Sequence, residues 1–254
     1  MNGALLYPAI VIIGYLIGAI PTGPIVAALY GGRVDLTRSG TRKTGSMNAL
    51  WTLGRRAAVV VLFGDLAKTI VAVLIARRLA GDGSAQPSAE ALAGLAAMIG
   101  HNWSIYIGFK GGQGVAILYA TLLIICWPAV LIASLSTFAM LKLGRIVSLA
   151  SLTGTVVTVI VLAVYVAWER APLPYLIFDI LAVGIIGLRH KDDIQRFIAW
   201  TRTGLWPFMP EYAAGHCASL PAFLHVAVKY RHAKNASARK RSPVRPNQPY
   251  CTDW

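Results

Sequence analysis

Four short polar stretches interrupt an otherwise apolar chain, and each holds residues suited to an anionic ligand. Residues 35–51 read Asp-Leu-Thr-Arg-Ser-Gly-Thr-Arg-Lys-Thr-Gly-Ser-Met-Asn-Ala-Leu-Trp. Glycines such as Gly45, hydroxyls, Asn48 and the adjacent bases Arg42 and Lys43 fit a loop that wraps an anion with backbone N–H groups and side-chain donors. A flexible basic loop lying on lipid headgroups has the same composition, and both readings stand on this segment alone. The second stretch is sharper. Residues 101–114 run His-Asn-Trp-Ser-Ile-Tyr-Ile-Gly-Phe-Lys-Gly-Gly-Gln-Gly and lead directly into an apolar run. Gly111, Gly112 and Gly114 let backbone amides approach a ligand closely. Lys110 adds a point charge, and a helix starting after Gly114 would turn its positive end the same way. The combination is a phosphate cradle of the P-loop kind without the Walker sequence, and a glycine turn with no ligand is the alternative. In the third stretch Arg145, Ser148 and Ser151 lie about one helical turn apart, although small hydroxyls also serve as helix glue in membranes. In the fourth, His190 precedes Asp192 and Asp193, an arrangement that suits a general base or an interfacial helix cap.

The elements that must position these stretches follow from composition. Of 254 residues, 56% are hydrophobic and only 13% charged, against about 25% charged in a soluble domain. A water-soluble globule is thereby excluded. Measured against the roughly 20 residues a helix needs to cross a bilayer, the apolar runs predict an all-α membrane protein of seven spans. They cover residues 4–30, 57–76, 89–100, 114–126, 129–143, 147–168 and 175–188. Pro21 and Pro24 should kink or end part of the first. The third is short, and the fourth and fifth share a tight turn at Trp127-Pro128. With the N-terminus outside, 20 of the 24 Lys and Arg fall on inner segments and three outside, so the chain is expected to run from an outer N-terminus to a cytoplasmic C-terminus. Residues 1–203 form the membrane domain and residues 204–254 a basic, partly disordered tail, in which residues 220–230 could lie on the inner leaflet. Three scattered cysteines offer neither a disulfide framework nor a zinc site. A transporter is disfavoured, since Asp65, Lys68 and Asp179 are the charges counted within spans and no internal repeat is evident. Asp65 and Lys68, three apart, should neutralise one another.

All four polar segments then fall on the same inner face, where three supply phosphate-type donors. A site for a phosphorylated substrate at the inner membrane surface follows from that convergence.

The chain also resembles the bacterial integral-membrane acyl-phosphate:glycerol-3-phosphate acyltransferases (the PlsY type) from about residue 14 to 197. The likeness rests on Gly14…Gly18, Ile20-Pro21-Thr22-Gly23, Gly45-Ser46-Met47-Asn48, Gly100-His101, the string Gly108-Phe-Lys110-Gly-Gly-Gln-Gly114-Val-Ala116, Arg145…Ser148…Ser151 and Leu188-Arg189-His190. It implies transfer of a fatty acyl group from acyl phosphate to glycerol 3-phosphate, giving lysophosphatidic acid in phospholipid synthesis at the bacterial inner membrane. Acyl phosphate is a mixed anhydride with a good leaving group, so no nucleophilic Ser or Cys is required. The protein must hold two phosphates and an acyl chain in place. On this reading Lys110 with Gly111, Gly112, Gln113 and Gly114 binds a phosphate. Thr41, Arg42, Lys43, Gly45 and Asn48 line the same pocket, and Arg145 and Ser151 add contacts. The catalytic group comprises His190, to orient or deprotonate the acceptor hydroxyl, Asp193 to help it, and Ser148. No metal, cofactor or nucleic acid is implied, and the partners are the two substrates and membrane lipid. Where the family loop has Ser, Gly, Asn, Thr and Arg, this chain has Thr41, Arg42, Lys43, Met47 and Trp51. Gln113 replaces a second Lys and Asp193 an Asn. Arg42 and Lys43 are expected to restore the phosphate charge lost elsewhere. The rival is a diverged, non-catalytic membrane protein of the same fold that binds anionic lipid or another phosphorylated acceptor.

Overall fold

A computed structural model describes residues 3–31, 34–144 and 146–203, all as helices and their connections. The order is α1 (Gly3–Gly18), α2 (Thr22–Gly31), α3 (Ser46–Leu53), α4 (Arg55–Ala80), α5 (Gln86–Asn102), α6 (Val115–Ile125), α7 (Trp127–Gly144), α8 (Val147–Ala167), α9 (Leu173–Arg189) and α10 (Lys191–Thr203), with a 3-10 turn at Ile105–Ile107. Large apolar side chains point outward along them, among them Phe63, Leu74, Leu135, Ile160 and Ile180. Meanwhile Asp65, Lys68, Glu90, His101 and Asp179 are buried. That inversion of the usual soluble arrangement is what a hydrocarbon solvent selects.

Three apolar stretches are long enough to cross a membrane, Leu5–Tyr30, Arg55–Ala80 and Val147–Ala167, and Val115–Ile125 and Trp127–Leu143 are shorter apolar helices. The first stretch is broken, as its prolines predict: α1 ends at Gly18 and α2 restarts at Thr22. The break frees backbone carbonyls in the protein interior, and side chains take them up. Ser104 donates to the Ala19 carbonyl at 2.5 Å and Lys68 to that of Ile20 at 2.8 Å. Broken backbone survives at membrane depth only where protein re-satisfies it in this way. Gly18 permits the close pairing of α1 with α5, since a Cβ there would collide with the backbone of Ala97.

Two helices depart from the expected reading. The polar stretch 35–51 is not loop throughout, because its second half folds into α3 and buries Asn48 and Ala49. Residues 191–203, which follow the last predicted span, form an amphipathic helix, α10, which touches α8 and α9. In-span charge also includes a residue that the sequence reading omitted. Glu90 is fully buried in α5, bonded by Gln86 at 2.8 Å and the Tyr175 hydroxyl at 2.6 Å, with Arg77 as its ion-pair partner. Residues 204–254, including the stretch 220–230 read from the sequence as either a solvated charged run or an interfacial helix, lie outside the described residues.

Candidate active site

The first wall of the site is the segment between α2 and α3. Leu36, fully buried, anchors it among Val26, Ala27, Ala57 and Val61. Asn48 shapes the rest from beneath. Its Oδ1 accepts from the Thr41 N–H at 2.9 Å, and its Nδ2 donates to the carbonyls of Leu36, Ser39 and Lys43 at 3.0, 3.1 and 2.7 Å. One side chain thus fixes the path of the backbone that presents Thr41, Arg42 and Lys43. The Asn48 amide is spent on that task, so its contribution to the pocket is to set the loop's form. Arg42 is exposed and sits at φ 59°, the left-handed region that favours glycine. The left-handed turn thus carries a charged side chain.

The second wall is the glycine loop. Ser104 and Lys110 pair as an antiparallel bridge, closing the chain on itself just before the glycines. Lys110 is exposed and stands near Asp35, whose carboxyl is held below its usual range by the Thr37 hydroxyl and N–H and further by Arg38 and Lys110. A backbone bond from the Thr44 N–H to the Gly111 carbonyl at 3.4 Å joins the two walls directly. Beneath them lies a buried ionic cluster. Asp65 Oδ1 is 2.8 Å from Lys68 Nζ, 3.4 Å from His101 Nδ1, and accepts from the Thr22 hydroxyl at 2.5 Å. The Asp65–Lys68 pair is therefore present, extended by His101 from α5. Gly112 rests on that histidine, with its N–H bonded to the His101 carbonyl at 3.1 Å. A Cβ at Gly112 would drive into the imidazole ring.

The third wall is the junction of α9 and α10. Arg189 donates through Nε to the Gly112 carbonyl at 3.0 Å and through Nη2 to that of Gly111 at 3.2 Å, while its guanidinium stacks 5.3 Å from the Trp103 ring. The Gly112 N–H is already bonded to His101, so the N–H opposite the Arg189-bound Gly112 carbonyl is that of Gln113. His190 caps α9, is 1% exposed, and places Nδ1 2.8 Å from the Ile186 carbonyl. A carbonyl can only accept, so Nδ1 carries the proton and Nε2 is the free base nitrogen. Burial pushes the His190 imidazole below its ordinary range; Asp193 opposes this, while Lys43 and Arg189 reinforce it. Asp193 reaches across to the glycine loop, accepting from Gln113 Nε2 at 2.8 Å. The two substituted positions, Gln113 and Asp193, are thus bonded to one another.

The expected residues of the first, second and fourth stretches therefore converge. Ser148 and Ser151 open α8, half-buried, with the Ser151 hydroxyl donating to the Ser148 carbonyl at 3.0 Å. The sequence reading places Arg145 here too, and it lies outside the described residues. Missed by that reading were Arg189, Thr44 and His101. The sequence signal for Arg189 was its place beside His190, but only the fold reveals the glycine carbonyls as its partners.

A bundle of apolar helices whose polar segments meet beside a buried histidine defines an integral-membrane protein with a candidate site for an anionic substrate. Residues 8–200 match the family model described as glycerol-3-phosphate acyltransferase. Among curated relatives, the glycerol-3-phosphate acyltransferase of Crocosphaera subtropica is 36% identical over 204 residues, covering 77% of this chain and 92% of that protein. That of Synechococcus sp. (strain JA-2-3B'a(2-13)) is 41% identical over 194 residues, covering 73% and 88%. The crystal structure of PlsY, an integral membrane glycerol 3-phosphate acyltransferase, in its glycerol 3-phosphate form, superposes with a TM-score of 0.68 at 31% identity, over 76% of this chain and 92% of that one. Its lysophosphatidic acid form gives 0.67 at 30% identity. The chain belongs to the glycerol-3-phosphate acyltransferase family.

Proposed function

We propose that this protein transfers a fatty acyl group from acyl phosphate to the 1-hydroxyl of glycerol 3-phosphate, forming lysophosphatidic acid for phospholipid synthesis. Acyl transfer to glycerol 3-phosphate follows from family membership. The acyl phosphate donor, the site residues, the seven spans and the outer N-terminus are the finer parts of the reading. The observation that carries the site assignment is the meeting of three walls, joined by Thr44 to Gly111 and by Arg189 to Gly111 and Gly112.

In this reading Lys110, the loop N–H groups and the positive end of α6 hold a substrate phosphate. Thr41, Arg42 and Lys43 face it from the opposite wall. The acceptor hydroxyl attacks the acyl carbonyl carbon, a new C–O ester bond forms, and the bond from that carbon to the phosphate oxygen breaks. Inorganic phosphate leaves with the bonding electrons. The hydroxyl proton passes to His190 Nε2 or to a substrate phosphate oxygen. Asp193 holds Gln113 and raises the basicity of His190. Ser148 and Ser151, at the start of α8, add hydroxyl contacts, and Arg145 is proposed to add charge. Because the anhydride is already activated, positioning and charge supply most of the acceleration.

The test is a transfer assay on purified protein in lipid, with labelled glycerol 3-phosphate and either acyl phosphate or acyl-CoA. Lysophosphatidic acid should form with acyl phosphate alone. Formation with acyl-CoA alone would overturn the donor assignment, and formation with neither would favour the non-catalytic, lipid-binding reading.

A further inference from the structure

The last residue of α5, Asn102, is 0% exposed, and neither its Nδ2 nor its Oδ1 has a hydrogen-bond partner among the described residues. Buried amides are almost always bonded, so an orphaned one calls for a use. It lies directly behind the glycine loop. A Cβ built on Gly114 would stand 3.2 Å from Nδ2 and 3.3 Å from Oδ1, and Gly114 itself sits at φ +90° as the N-cap of α6.

The state of the loop shows what the amide waits for. Its first half is held: the Gly112 N–H is bonded to His101, the Gly111 carbonyl to Thr44 and Arg189, and the Gly112 carbonyl to Arg189. Of the backbone groups of Gln113 and Gly114, the Gly114 carbonyl alone is engaged among the described residues, by the Leu118 N–H at 2.9 Å, while the Gln113 side chain bonds Asp193. A peptide group that turns its N–H outward to an anion must send its carbonyl inward, because the two point in opposite directions. Packed against Gly114, the Asn102 amide is within reach of a carbonyl turned toward it.

We infer that Asn102 is a positioning residue for phosphate binding: when a substrate phosphate draws the Gly114 N–H outward, Nδ2 of Asn102 takes the Gln113 carbonyl that turns inward. The free protein carries the orphaned amide, and the bound form recovers its hydrogen bond. This rests on the glycine loop being a phosphate site, and the chemistry recognised is a phosphate monoester or acyl phosphate.

Asn102→Leu keeps roughly the side-chain volume and removes both polar atoms, while Asn102→Ser keeps a donor. Three quantities are read: melting temperature without ligand, the rise in melting temperature with glycerol 3-phosphate, and KM and kcat for each substrate. The leucine variant should melt no lower than wild type, since no bond is lost, while KM for one substrate rises about tenfold, as for one lost hydrogen bond. The serine variant should recover part of that affinity. A raised KM for glycerol 3-phosphate places the acceptor phosphate on the loop, and a raised KM for acyl phosphate places the donor there. Unchanged KM values for both substrates would overturn the inference. So would failure of both variants to fold, which would mean that the amide is already bonded in the free protein. If the wild type transfers no acyl group, the functional reading fails. The ligand-induced shift with glycerol 3-phosphate, and separately with inorganic phosphate, then decides the role of Asn102: a smaller shift in the leucine variant supports it, and an equal shift or none in wild type overturns it.

Discussion

At the scale of residues, charge around His190 is the quantity to vary. Burial depresses the pKa of the His190 imidazole and so favours its neutral form, with Lys43 adding to that effect and Asp193 opposing it. If Nε2 accepts the hydroxyl proton, activity should be flat above the ordinary imidazole range near pH 6.5 and fall only below it. Lys43→Ala removes a cation that favours the neutral form, so the acid limb should move to higher pH. Asp193→Asn removes the opposing anion, so the limb should move lower. A pH–rate profile of kcat/KM for each variant checks both signs, and limbs that do not move would place the proton elsewhere, on a substrate phosphate. Arg42 and Lys43 carry a second expectation. If they replace phosphate-binding charge lost at Trp51 and Gln113, changing both to Ala should raise KM for glycerol 3-phosphate roughly tenfold or more, as for lost charge-assisted hydrogen bonds. An unchanged KM would sink the compensation idea.

At the scale of elements, the glycine loop depends on what lies beneath it. Gly112 rests against the His101 ring, which is itself held within the Asp65–Lys68 cluster. A methyl group at residue 112 must displace either the loop or that cluster. Gly112→Ala is therefore expected to lose at least tenfold in kcat/KM and to lower the melting temperature, measured by steady-state kinetics and thermal unfolding. Most of these elements were legible beforehand. Apolar runs located α4 and α6 to α9 closely, and Pro21 marked the break that separates α1 from α2. Two elements were not legible, for a physical reason. Ser46–Leu53 is short and α10 is polar on one face. Their helicity comes from packing against neighbours, which local propensity does not carry. The glycine string predicts an anion cradle from its residue types alone. Nothing in the sequence could show that Asn48 is consumed by its own loop, that Gln113 bonds Asp193, or that Arg189 seizes two glycine carbonyls, because each depends on segments distant in the chain meeting in space.

At the scale of the whole molecule, the distribution of Lys and Arg predicts which segments face the cytoplasm. Single cysteines replacing Lys43 or Lys110 should be labelled by an impermeant thiol reagent only from the cytoplasmic side, and one replacing Arg170 only from the outer side, in a background without native cysteines. The reverse pattern would invert the topology and put the site outside. On the proposed reading, part of the net charge of +14 lies on the walls of the site and serves substrate binding as well as orientation. The central claim is that those walls form one acyl-transfer site for phosphorylated substrates. Its most direct measurement is glycerol 3-phosphate-dependent release of inorganic phosphate from acyl phosphate, followed with lysophosphatidic acid in parallel, for wild type and Lys110→Ala. The account predicts equal amounts of phosphate and lysophosphatidic acid from wild type, and a loss of tenfold or more in kcat/KM for the variant. Folded wild-type protein that releases no phosphate, or a variant that matches it, would contradict the account.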